Sequence, residues 1–74
     1  MAEKTDYEMK AANLLKAELK RKGVTYAGLV AALAAIGVDE KEANVRNKLS
    51  RGKFTAAFLL QCLNAIVSQQ LHLD

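Results

Sequence analysis

TYAGLVAALAAIGVDEKEANVRNKLSRG, residues 25–52, decides the fold, because it spells out two helices and the turn between them. Thr25 stands as N-cap of a helix from about Tyr26 to Ile36, with Leu29, Leu33 and Ile36 turned inward and Gly37 closing it. Its many alanines let neighbouring helices approach closely. The next helix is expected to begin after Asp39, where Asp39 and Glu42 have the spacing of a reciprocal cap. It ends near Arg51 with Gly52 as the residue after its cap. Its acids fall in the first turn and its cations in the last, as the helix dipole prefers.

Upstream, Thr5 and Glu8 have capping-box spacing, and Ala11, Leu15 and Leu19 with Leu14 make an apolar stripe over a helix from about Asp6 to Lys22. Downstream, Thr55 precedes a further helix. Phe54 is placed to staple to Leu59, and Phe58, Leu59, Cys62, Leu63, Ile66 and Val67 form a broad apolar face. From Ser68 the signals weaken, so the last residues either fray or extend that helix. The expectation is an all-α, compact four-helix domain occupying residues 1–74, with its core over about 6–67, a short flexible N-terminus and a C-terminal tail at 68–74.

Seventy-four residues make one domain, near the lower limit for folding without a staple. The single cysteine, Cys62, excludes an internal disulfide and a multi-cysteine zinc site. No apolar run approaches the roughly 20 residues of a membrane span, and MAEKTDYEMK does not read as a signal peptide. A cytoplasmic protein is expected. The net charge of +3 is modest, but every charged residue between Ala43 and Leu73 is a cation. A second basic cluster, Lys20-Arg21-Lys22, ends the first helix. There the helix dipole alone accounts for cations, whereas a polyanion would also be drawn to them.

On a helical wheel the third helix turns Val45 and Leu49 inward. Its opposite side carries Glu40, Ala43, Asn47, Ser50 and Arg51, with Asn44 and Arg46 on the flanks. Asparagine can pair bidentately with adenine, arginine can fork onto guanine, and small residues permit close approach in a major groove. On this reading Asn44, Arg46, Asn47 and Ser50 read bases, while Lys48, Arg51 and Lys53 hold phosphates. The alternative is a plain solvated face. Against it, asparagine is a poor helix former, yet occurs here twice.

LKAELKRKGVTYAGLVAAL, residues 15–33, and VRNKLSRGKFTAAFLLQCLNAI, residues 45–66, resemble the repressor/Cro type of helix-turn-helix domain of phage and bacterial regulators. Thr25, Leu29, Leu49, Arg51, Gly52 and Leu59 take the matching places. The chain departs from that pattern at Val30, usually alanine, at Ser50, commonly glutamate, and in the longer turn AAIGVDEKEAN. It is also similar, over about Leu14 to Val67, to a family of small uncharacterised bacterial domains with this longer turn and the NKLSRG signature. The first resemblance implies double-stranded DNA as partner. It also implies that Thr25 and Tyr26 lie near the DNA backbone, although Thr25 can serve simply as a cap and Tyr26 as a core residue; Lys22, of the basic cluster, is expected to add a phosphate contact.

For catalysis the sequence offers only His72, in the tail, and Cys62, on an apolar helix face, with no Gly-rich phosphate loop or metal-ligand spacing. No enzyme, cofactor or small-molecule substrate is expected. Leu60 points away from the Cys62–Ile66 face and, with Leu71 and Leu73, suggests a homodimer seam. Alternatively Leu60 merely covers the first helix. The sequence thus favours a sequence-specific DNA-binding regulator, acting as a dimer. Its competitor is a helical protein–protein interaction or antitoxin-like module with no DNA role.

Overall fold

The computed structural model describes residues 4–73, with side chains described for residues 7–67. Four helices follow one another: α1 (Lys4–Lys22), α2 (Tyr26–Ala35), α3 (Glu42–Arg51) and α4 (Ala56–Leu73), and the described residues contain no strand.

Local chemistry explains most of the helix ends. Gly28 N–H donates to the Thr25 hydroxyl at 3.0 Å, and Phe58 N–H donates to the Thr55 hydroxyl at 3.0 Å, so both threonines cap as expected. The glycine–valine pairs at 23–24 and 37–38 close α1 and α2 alike. Gly23 N–H donates to Lys20 and Val24 N–H to Leu19, while Gly37 N–H donates to Ala34 and Val38 N–H to Leu33. This is the Schellman arrangement, and each valine packs back against the core behind its glycine.

Two local expectations are corrected. The N-cap of α3 is Lys41, which makes no side-chain capping bond, so Asp39 and Glu42 do not form a reciprocal cap. Glu42 lies inside the helix and pairs with Arg46 instead, at 2.8 Å. Helix α1 already includes Lys4, which places Thr5 within its first turn; the Thr5 side chain lies outside the described residues. The Phe54 ring also meets that of Phe58, tilted, with centroids 5.6 Å apart, and both Phe54 and Leu59 pack against the core.

The core is built from Leu15 and Leu19 of α1, Leu29, Ala32 and Leu33 of α2, Val45 and Leu49 of α3, and Phe58, Cys62, Ala65 and Ile66 of α4. Ala12 is fully buried while Leu14 is 53 % exposed, which corrects the α1 stripe. Leu14 stands about 100° round the helix from Leu15, outside the arc facing the neighbouring helices. Each of α3 and α4 packs on both α1 and α2, while α3 and α4 do not lie side by side. That arrangement sends the outer face of α3 and the outer face of α4 into solvent in different directions.

Candidate nucleic-acid interface

Val45 and Leu49, both fully buried, fix the rotation of α3 about its axis. Every other residue of the helix except the half-buried Lys48 is therefore exposed, with Ala43, Asn47 and Ser50 opposite the core. Among the described residues, the side chains of Asn44, Asn47 and Ser50 make no hydrogen bond, and Arg51 makes no ion pair. Their donors and acceptors face solvent.

The other cations of this region are engaged. Arg46 pairs with Glu42 at 2.8 Å and lies over the Tyr26 ring, its guanidinium carbon 5.8 Å from the ring centroid. Lys48 pairs at 2.8 Å with Glu40, a carboxylate only 14 % exposed, and its ammonium lies 4.4 Å from the Phe58 ring centroid. Lys48 is thus a tie between the turn before α3, α3 itself and α4, and it is half-buried rather than projecting. Lys53 pairs with Glu8 of α1 at 2.9 Å. Two of the three expected phosphate grips in this region therefore meet carboxylates of the chain first.

The Arg46–Tyr26 contact joins α3 to the start of α2 and makes one continuous surface of them. Tyr26 is half-buried against the core, and Thr25 is exposed beside it. The Thr25 hydroxyl takes Gly28 N–H, which leaves the Tyr26 and Ala27 N–H groups at the start of α2 without partners inside the helix. A shallow cleft of about 320 Å³, lined by Lys16, Leu19, Lys20, Val24, Thr25 and Tyr26, continues this edge onto α1. Lys22 is half-buried at the end of α1. No sequence signal pointed to the Tyr26–Arg46 stack, because it joins residues of different helices across the long turn.

Of the expected seam residues, Leu60 is 65 % exposed, while the side chains of Leu71 and Leu73 lie outside the described residues. The notable addition is Val67, two turns after Leu60 and 46 % exposed, which the sequence had placed on the inner face. Cys62 is fully buried. Burial, reinforced by the nearby Glu40 carboxylate and opposed by Lys48, pushes its thiol up to about 12. At neutral pH the sulfur is an inert core atom. The described residues contain no cluster of metal-binding side chains, and none of their helices is long and apolar enough to cross a membrane.

A family model described as Domain of unknown function (DUF6471) matches residues 7–71, across all four helices, and the chain belongs to that family. No curated protein and no solved structure matches it. The family assignment agrees with the expected similarity to small helical domains without an assigned role.

Proposed function

We propose that this DUF6471 domain binds double-stranded DNA through the outer face of α3, as a repressor/Cro-type helix-turn-helix does, and acts as a dimeric transcriptional regulator. The observation that carries this reading is the uncommitted polar face of α3: Asn44, Asn47 and Ser50 are exposed and keep their hydrogen-bonding groups open. Asn47 stands at the centre of that face, where it would pair with a base edge. Arg46 reads beside it once Glu42 releases it. Arg51 grips phosphate directly, and Lys48 and Lys53 do so by exchanging Glu40 and Glu8 for the DNA backbone. Thr25, Tyr26 and the first N–H groups of α2, with Lys22, complete the backbone contact.

Binding to random duplex DNA, measured against salt concentration, tests the reading. The logarithm of the binding constant should fall with that of salt by roughly 0.9 per phosphate contacted. No binding at low salt would refute it. Against a selected cognate site, Asn47→Ala should lose on the order of 1–3 kcal/mol and relax preference at one or two positions, whereas Arg51→Ala should weaken all sequences alike.

The second reading, a helical protein-interaction or antitoxin-like module, draws on the internal pairing of Arg46, Lys48 and Lys53 and on the exposed apolar residues of α4. It expects no salt-dependent DNA affinity at all.

A further inference from the structure

We propose that the cleft between the end of α1 and the start of α2 binds a small phosphate monoester carried on a flat, ring-shaped body. Such a ligand goes beyond the DNA-binding reading, and its site shares only Thr25 and Tyr26 with the DNA contact proposed above.

The cleft holds about 320 Å³ and is lined by Lys16, Leu19, Lys20, Val24, Thr25 and Tyr26. Small-molecule sites occupy roughly 300–1,000 Å³, so the space suits a ligand of one or two rings. Its floor is apolar: Leu19 is buried, and Val24 and Tyr26 pack against the core. Its rim is cationic. Lys16 and Lys20 stand one turn apart on the same side of α1, where like charges repel and weaken a helix. Neither makes a hydrogen bond or ion pair among the described residues. Glu18, the acid between them in sequence, is turned to Arg21, which it holds at 2.6 Å. No carboxylate lines the cleft.

Charge selects the ligand. Two unpaired ammonium groups match a dianion, and a phosphate monoester carries about −1.5 to −2 at pH 7, whereas a carboxylate or a phosphodiester carries a single charge. The Thr25 hydroxyl accepts Gly28 N–H at 3.0 Å, which leaves its own proton to donate to a phosphate oxygen. Beside these groups the apolar floor covers one face of a flat body. The cleft is shallow, so the other face stays in water and binding is weak, with a dissociation constant on the order of 0.1–1 mM.

Proton–nitrogen correlation NMR of the whole chain tests the site, with naphthyl phosphate as the probe, titrated to about 5 mM. Saturating shifts should centre on residues 16–26. Lys16→Gln and Lys20→Gln should each weaken binding about three- to fivefold with helical circular dichroism intact, since neither side chain is core. Lys10→Gln removes the same charge elsewhere on α1 and should change affinity less than about twofold. Inorganic phosphate and naphthol, each half of the probe, should bind about tenfold more weakly or worse. Shifts that scatter over the surface or never saturate overturn the site. So does a loss in Lys10→Gln equal to that in the cleft variants, or no loss in those variants. Inorganic phosphate or naphthol binding as tightly as the probe would leave floor or rim unused, and also overturns it. If the methyl diester of the probe binds equally well, the cleft is a contact for nucleic-acid backbone and the proposal fails. DNA is absent from every arm, so failure here leaves α3 as reader untouched, and failure of α3 to bind DNA leaves the cleft standing.

Discussion

Gly52 holds its backbone in the left-handed region at φ 69° and lies against α1, where a Cβ would stand 3.0 Å from the carbonyl carbon and oxygen of Glu8. Two demands meet at one residue. The conformation costs a side-chain-bearing residue about 1–2 kcal/mol, and the obstructing atoms are backbone, which cannot swing aside. Gly23 has the same φ of 69° but nothing within 4 Å of such a Cβ. Gly23→Ala should therefore cost about 1 kcal/mol and Gly52→Ala at least twice that. Urea denaturation midpoints of the two variants measure the difference, and equal losses would show that the α1 contact is slack. Gly52 was legible in the sequence as a helix end, and Gly23 follows the apolar stripe of α1 in the same way. The close approach to Glu8 was not, since it depends on how the α3–α4 turn lands on α1.

At the scale of the element, α3 has an exposed face uncommitted at its centre and ion-paired at its margins. Leu49 and Val45 orient it, and that much follows from their spacing. The pairings at its margins do not. Glu8 of α1 holds Lys53 at 2.9 Å across 45 residues of sequence, and Glu40 holds Lys48 from the turn before the helix. The exposed Lys53–Glu8 pair contributes little to stability, about 0–1 kcal/mol, and both pairs compete with any phosphate for the same ammonium. If α3 binds DNA, Glu8→Gln should release Lys53, raise affinity for random duplex severalfold at low salt, and steepen the salt dependence by up to about 0.9 in slope. An unchanged slope would place Lys53 away from the backbone. The same change should leave the denaturation midpoint almost unmoved, which distinguishes competition from a structural role.

At the scale of the molecule, Cys62 reports on the whole core. It is fully buried between α4 and its neighbours, and burial pushes the thiol from its ordinary 9.0 to about 12, with Glu40 adding in the same direction. The unfolded chain releases this proton near pH 9 and the folded chain does not. The contribution is therefore full below pH 9 and is lost as pH rises from 9 through 12, at on the order of 1 kcal/mol per pH unit. Urea midpoints at pH 7.5, 9 and 10 should be flat over the first interval and fall over the second. Cys62→Ala should lack this part of the fall; an identical fall would mean that other groups titrate in its place. The fold itself was largely legible: four helices, two threonine caps and three glycine ends all come from interactions within a few residues. Less legible was which residues turn inward on α1 and α4. Ala12 rather than Leu14 is buried, and Val67 is open, because the arc a helix hides is set by where its partners sit.

Sequence alone determined the number, order and approximate ends of the helices, and the residues on the outer side of α3. Caps, helix-ending glycines and apolar periodicity act through contacts within about one turn, and such contacts are written in the local order of residues. Only the tertiary structure decided which cations are already paired, that Arg46 stacks on Tyr26, that Gly52 has no room for a side chain, and that a neutral face of α4 is left open. Each depends on distances between helices, and those follow from the packing of the shared core rather than from separation along the chain.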